Sequence, residues 1–362
     1  MTIKEFSYED KSSGWRLDKL QLGKINLLVG ASGAGKTQIL KALKRIGFLA
    51  EGDEYNDDDI MYSHFQWQII LEEQENTYLW EGERNSEIIH ENISINGENI
   101  VKRDYKKTFF KGQETFKLST HHSIINILEE EDLITPIANG LSRILYNDFA
   151  TDTTLSKLTE EIYSSRFKKK PKEYDIVTLR ENFDLEIIEK ICFIFKFDKD
   201  KFNQLIANFS SIFPQIEDAK FDNNEDARFI TLYFKDKNSE SWLPPSKMSS
   251  GMLRVFLQLA EIYLCPDGTV FLIDEFENSL GINCIDELTK VILNSNRNLQ
   301  FVITSHHPYI INNIPFEYWK IVTRKGNIIT THAASEYNLG RSKHDRFMQL
   351  LQLEEYQTGI TL

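Results

Sequence analysis

The clearest chemistry in this sequence lies in eight residues, Gly30-Ala31-Ser32-Gly33-Ala34-Gly35-Lys36-Thr37. They read G-x-x-x-x-G-K-T, the pattern of a phosphate-binding loop. Glycines let backbone N–H groups turn inward around a triphosphate. A helix beginning at Lys36 would add the partial positive charge of its N-terminus. Lys36 would reach the β- and γ-phosphates, and Thr37 would offer its hydroxyl to Mg²⁺. Gln38, the next residue, is grouped with the loop as a nucleotide contact.

A second constellation follows much later. Val270-Phe271-Leu272-Ile273-Asp274-Glu275 is an apolar run ending in two carboxylates. It reads as a buried parallel strand. Asp274 at its end can hold Mg²⁺, directly or through water, and Glu275 can orient and deprotonate an attacking water. Phe301-Val302-Ile303-Thr304-Ser305-His306 is a similar strand with a polar end. His306 there could hydrogen-bond the γ-phosphate or the water, with His307 as its rival. Neither reads as a zinc ligand, because adjacent histidines at a strand end point apart. Ser249, ahead of Leu253–Ala260, suits the N-cap of a second helix with free N–H groups. Two such helix starts suggest that each nucleotide is gripped from two sides, by two copies facing head to tail.

These groups need elements to hold them. Lys24–Val29 is strand-like and Gln38–Ile46 has helical spacing, so strand, loop and helix fall in the right order. Residues 1–29 alternate and predict two or three strands. Tyr8 and Trp15 are candidates to stack on adenine, against the plainer reading of β-core. Residues 60–118 predict a β-meander, with turns at Glu81-Gly82 and Asn96-Gly97. Residues 119–215 read as mainly helical, including an amphipathic stretch over Ile137–Leu145. Residues 219–235 return to strands, and Ser342–Leu351 predicts an amphipathic helix that covers the sheet or docks a partner. The acidic run 51–59 reads as an exposed loop, and the basic run Arg166–Lys172 as an exposed linker between helices, with a binding element as the alternative. Lys102-Arg103-Asp104-Tyr105-Lys106-Lys107 reads as a solvated strand edge, with a DNA or partner contact as the alternative.

Composition bounds the rest. With 55 Asp and Glu against 42 Lys and Arg, the 362-residue chain has a net charge of −13. That excludes bulk nucleic-acid binding and leaves only a local or dimer-made basic patch. The three cysteines have no metal or redox spacing and fit a reduced cytosolic interior. No run approaches the roughly 18 consecutive apolar residues of a membrane span, and the first residues lack a signal-peptide core. The expectation is a cytoplasmic protein.

Taken together, the motifs resemble those of ABC-type ATPases, in their SMC-like branch. Ser249-Ser250-Gly251 matches the L-S-G-G-Q signature, with Met248 in the Leu place and Met252 for Gln. Glu277-Asn278-Ser279-Leu280 resembles the D-loop, and Thr304-Ser305-His306-His307-Pro308 the T-T-H-S-P switch of OLD-like and RecF-like ATPases. The Q-loop glutamine has no clear counterpart; Gln113 is the nearest candidate. The resemblance spans the chain and is nearest to stand-alone ATPases of bacterial anti-phage defence, the PtuA-like and OLD-like groups. It implies an α/β P-loop NTPase with an ABC-type head: a mixed central sheet, an antiparallel β-subdomain and a helical subdomain. The implied layout is one ATPase domain, 1–362, with a nucleotide-binding core from 1–50 and 219–340. The β-subdomain falls at 60–118, the helical insertion at 119–215 and a terminal helix at 341–362. The resemblance also implies ATP and Mg²⁺ as ligands and a dimer in which Ser249 and Gly251 of one copy meet nucleotide held by the other. Any nuclease or other effector would be a separate protein. A nucleotide-gated scaffold with little turnover, holding a toxin or nuclease, keeps the same motifs.

Overall fold

The computed structural model describes residues 1–52, 63–115, 118–147, 158, 162–163, 175–181, 185–222, 229–337, 340 and 342–359. Strands β1 (Thr2–Asp10), β2 (Trp15–Gln21) and β3 (Ile25–Val29) lead into helix α1 (Lys36–Glu51). The meander is β4 (His64–Glu73), β5 (Asn76–Asn85), β6 (Glu87–Ile95), β7 (Glu98–Asp104), β8 (Thr108–Phe110) and β9 (Gln113–Glu114). Short helices α2 (Ile124–Ile127) and α3 (Thr135–Leu141) precede β10 (Ile144–Asn147) and β11 (Ile162–Tyr163). Helices α4 (Ile176–Glu181), α5 (Ile187–Phe197) and α6 (Lys199–Ile212) follow. Then come β12 (Ile216–Phe221), β13 (Phe229–Ile230), β14 (Leu232–Asp236), β15 (Trp242–Leu243) and α7 (Ser250–Leu264). The last part alternates: β16 (Val270–Ile273), α8 (Ile282–Leu293), β17 (Gln300–Thr304) and α9 (Pro308–Asn313). It ends with β18 (Trp319–Lys325), β19 (Ile328–Ala333), α10 (Lys343–Gln352) and α11 (Glu354–Thr358).

The chain divides into two compact units. The first contains residues 1–147, 268–276 and 295–362. Its sheet has 14 strands in the order β10-β16-β17-β3-β18-β19-β2-β1-β4-β5-β6-β7-β8-β9. The block β10-β16-β17-β3-β18 is parallel. Its central strands β3, β16 and β17 are buried at every residue, as expected where a sheet is covered on both faces. Burying each Leu or Ile stabilises by roughly 1.5–3 kcal/mol, whereas a surface ion pair gives about 0–1 kcal/mol. Packing, not charge, therefore holds the phosphate-loop strand. On α1, Ile39, Leu40, Leu43, Ile46 and Ala50 are buried at helical spacing. Gly52 ends the helix in the left-handed conformation, its N–H donating to the Phe48 carbonyl.

The meander continues this sheet through β1 and β4 rather than standing apart. Tyr8 stacks on Phe65 with ring centroids 5.6 Å apart, and Trp15, Trp67 and Trp80 extend the aromatic row. Arg45 of α1 donates to the Tyr8 hydroxyl at 2.6 Å, and burial holds that phenol above its ordinary titration range. Tyr8 and Trp15, the candidate adenine platforms, are thus core residues.

Two further expectations are corrected. The helix predicted over 137–145 ends at Leu141, and Ile144–Asn147 forms an edge strand beside β16. The cluster at 102–107 is not uniformly solvated, because Arg103 is only 2% exposed. Its guanidinium lies 3.2 Å from the buried Glu91 carboxylate. Glu91 also accepts from the Trp80 Nε1–H at 2.8 Å and the Ile124 N–H at 2.9 Å. Burial pushes the Glu91 carboxyl up to about 7, against the pull of those donors. Lys102, Lys106 and Lys107 remain exposed.

The second unit contains residues 148–267 and 277–294. Its described helices pack around an aromatic cluster in which Phe256 of α7 meets Phe209 of α6 at 5.1 Å and Phe234 of β14 at 4.9 Å. Those shared rings join β14 and α7 to helix α6 within this unit. The acidic run beyond residue 52 and the basic run 166–172 lie outside the described residues.

Candidate nucleotide site

The loop between β3 and α1 is built for close approach. A Cβ on Gly30 would meet the Val322 carbonyl oxygen at 2.4 Å. Gly35 caps α1 at φ 105°, where an L side chain is strained, and a Cβ there would strike Ile329 Cδ1 at 2.3 Å. No side chain caps this helix start. Its N–H groups have no intrahelical acceptor, so an anion suits them. The Lys36 ammonium is folded over the loop, donating to the carbonyls of Gly30 at 2.8 Å and Ala31 at 2.9 Å. Ser32 and Gly33 are exposed and Ala34 is buried. Gln38 accepts from Arg324 Nη1 at 3.2 Å. The Arg324 N–H donates to the Gly359 carbonyl at 2.6 Å, and a Cβ on Gly359 would come within 3.0 Å of the Ala31 Cβ. The chain's last described residue thus touches the loop.

The parallel pairing β16-β17-β3 sets three strand ends side by side. Thr37 Oγ1 donates to Asp274 Oδ1 at 3.2 Å, although the two lie far apart in sequence. Thr304 Oγ1 donates to the same oxygen at 2.6 Å and accepts the Glu275 N–H at 2.8 Å. Glu275 is exposed and holds φ 44°, unusual for a residue with a Cβ. A hydroxyl and a carboxylate of this hardness suit Mg²⁺, which favours oxygen ligands and keeps several waters.

At the end of β17, His306 is exposed. His307 is engaged elsewhere: its Nδ1 accepts the Tyr309 N–H at 3.2 Å and caps α9. Thr304 is the site residue that sequence reasoning did not assign. Its signals were a polar side chain closing an apolar strand and the first place of the T-T-H-S-P-like run, neither of which gave the hydroxyl a role. Gln113 lies on exposed edge strand β9, ten places from β3 in the sheet order. That distance removes it as a Q-loop candidate.

In the second unit, Ser249 caps α7, accepting the Met252 N–H at 3.3 Å. A Cβ on Gly251 would meet the Ser279 carbonyl oxygen at 2.6 Å. Arg254, one turn on, donates to the Asn278 carbonyl. The helix start and the 277–280 loop are therefore packed backbone to backbone.

Residues 125–312, just over half the chain, match the family model described as an AAA domain, putative AbiEii toxin, type IV toxin–antitoxin system. The chain belongs to this AAA-domain family. No curated protein matches it. Among solved structures, this AAA-domain chain is similar to an Smc head bound to the C-winged helix domain of ScpA. The TM-score is 0.57 at 12% identity, over 92% of this chain and 97% of that one. The Smc head domain of Thermotoga maritima gives 0.49 at 12%, over 92% and 99%. An Smc head with an extended coiled coil, bound to the C-terminal domain of ScpA and derived from Pyrococcus furiosus, gives 0.49 at 14%, over 97% and 98%. The first of these shows that the chain shares the fold of an Smc head. No described helix is long and apolar enough to cross a membrane.

Proposed function

We propose that this AAA-domain protein binds ATP with Mg²⁺ and hydrolyses it between two copies arranged head to tail. The observation that carries the reading is the hydrogen bond of Thr37 to Asp274, next to Glu275, beside a helix start that no side chain caps. Lys36 neutralises the β- and γ-phosphates, and the loop N–H groups orient them. Thr37 and Asp274 would hold Mg²⁺, which when bound would supply neutralisation of phosphate charge. Glu275 takes the proton of the attacking water, and His306 hydrogen-bonds the γ-phosphate. Ser249 and Gly251 of the partner copy close over the same nucleotide. Positioning and electrostatics do most of the work, as phosphoryl transfer needs little covalent help from protein.

In this reading the whole chain is one ATPase head with insertions, and it works in the cytoplasm. Opening and closing of the pair switches a separate effector, a nuclease or toxin, or a DNA contact. The toxin–antitoxin description of the family and the motif resemblance favour a role in anti-phage defence. The test is Glu275→Gln. It should bind ATP, stop turnover and accumulate as a dimer in light scattering. Hydrolysis at the parent's rate would remove Glu275 as the base. Turnover independent of protein concentration, in a strict monomer, would remove the paired site.

A further inference from the structure

The Asp274-Glu275 turn is bracketed by one side chain outside it. Thr304 is 1% exposed, so its hydroxyl has no water to fall back on. A hydroxyl has one proton and two lone pairs. Here the proton goes to Asp274 Oδ1 at 2.6 Å, and a lone pair receives the Glu275 N–H at 2.8 Å. The Thr304 carbonyl also accepts the Phe276 N–H at 3.0 Å. Three consecutive residues are therefore tied to one residue of the neighbouring strand. The middle one holds the left-handed φ of 44°, a conformation that persists only where its surroundings enforce it.

We propose that Thr304 is a positioning residue of the nucleotide site: one hydroxyl fixes both the Asp274 carboxylate and the Glu275 backbone. It touches neither substrate nor reacting water. It acts by presenting Asp274 beside Thr37 and by aiming Glu275 away from the sheet. A side chain behind a metal ligand commonly alters metal affinity or rate by 10- to 100-fold. This proposal rests on the reading of the site as a Mg²⁺–ATP hydrolase.

The test compares the parent with Thr304→Val, which keeps the shape and loses the hydroxyl, and Thr304→Ser, which keeps the hydroxyl. In Thr304→Val, kcat should fall about 10- to 100-fold and half-saturation by Mg²⁺ should rise about tenfold. Affinity for a fluorescent ATP analogue in EDTA should stay within about twofold, and Thr304→Ser should recover most of both losses. Parent-like Mg²⁺ dependence in Thr304→Val, or equal impairment in Thr304→Ser, overturns the proposal. Should Thr304→Val not fold, hydrogen exchange on the parent decides. A Glu275 amide protected like those of β16 supports the hydroxyl bond, and one exchanging like an open loop defeats it. If the parent binds no Mg²⁺–ATP, the hydrolase reading falls, and the Glu275 amide still reports on the bracket by itself.

Discussion

Two helix starts in this chain solve one problem in opposite ways. Every helix begins with N–H groups that have no intrahelical acceptor. At α7, Ser249 supplies an acceptor from its own side chain. At α1, Gly35 supplies none, and its backbone adopts φ 105° to shape a loop. The α7 start carries its own acceptor; the α1 start carries none and suits an anion. The contrast separates a helix start left open from one closed by its own side chain, though both sequences are rich in Gly and Ser; under the proposed function the first binds nucleotide and the second completes the partner's site.

Several changes can break that contrast. Lys36→Ala removes the ammonium that balances phosphate charge, and ATP affinity should fall on the order of 10²-fold or more. Calorimetric titration checks it; a loss under threefold would mean that α1 does not hold the triphosphate. Gly35→Ala keeps every charge but forces a Cβ into a left-handed position against Ile329. It should lower stability by about 1–3 kcal/mol and weaken ATP binding with it, read by thermal melting with and without ATP. Ser249→Ala removes a cap worth about 1 kcal/mol. It should lower the melting temperature slightly and leave ATP affinity of the isolated copy unchanged, while slowing turnover. A Ser249→Ala protein that loses ATP affinity as steeply as Lys36→Ala would erase the distinction.

What was legible in the sequence was local. The loop, its flanking strand and helix, the Asp274-Glu275 end and the Ser249 cap all follow from short patterns whose physics is contained within a few residues. The Thr304 bracket was not legible, because it depends on β16 and β17 lying side by side in register. Arg103 looked like surface charge because its partner Glu91 belongs to another strand. The Ile144–Asn147 strand was hidden because a short apolar run fits a helix face as well as a sheet edge. The convergence of rings of β14, α6 and α7 was not legible either, because they come from distant stretches.

Gly359 ends within a methyl's width of Ala31 and is tied by its carbonyl to Arg324. Any ligand that displaces Ala31 must also disturb this knot. If nucleotide binds as proposed, a dye coupled at position 358 would register its arrival from outside the loop, leaving all eight of its residues as nature has them.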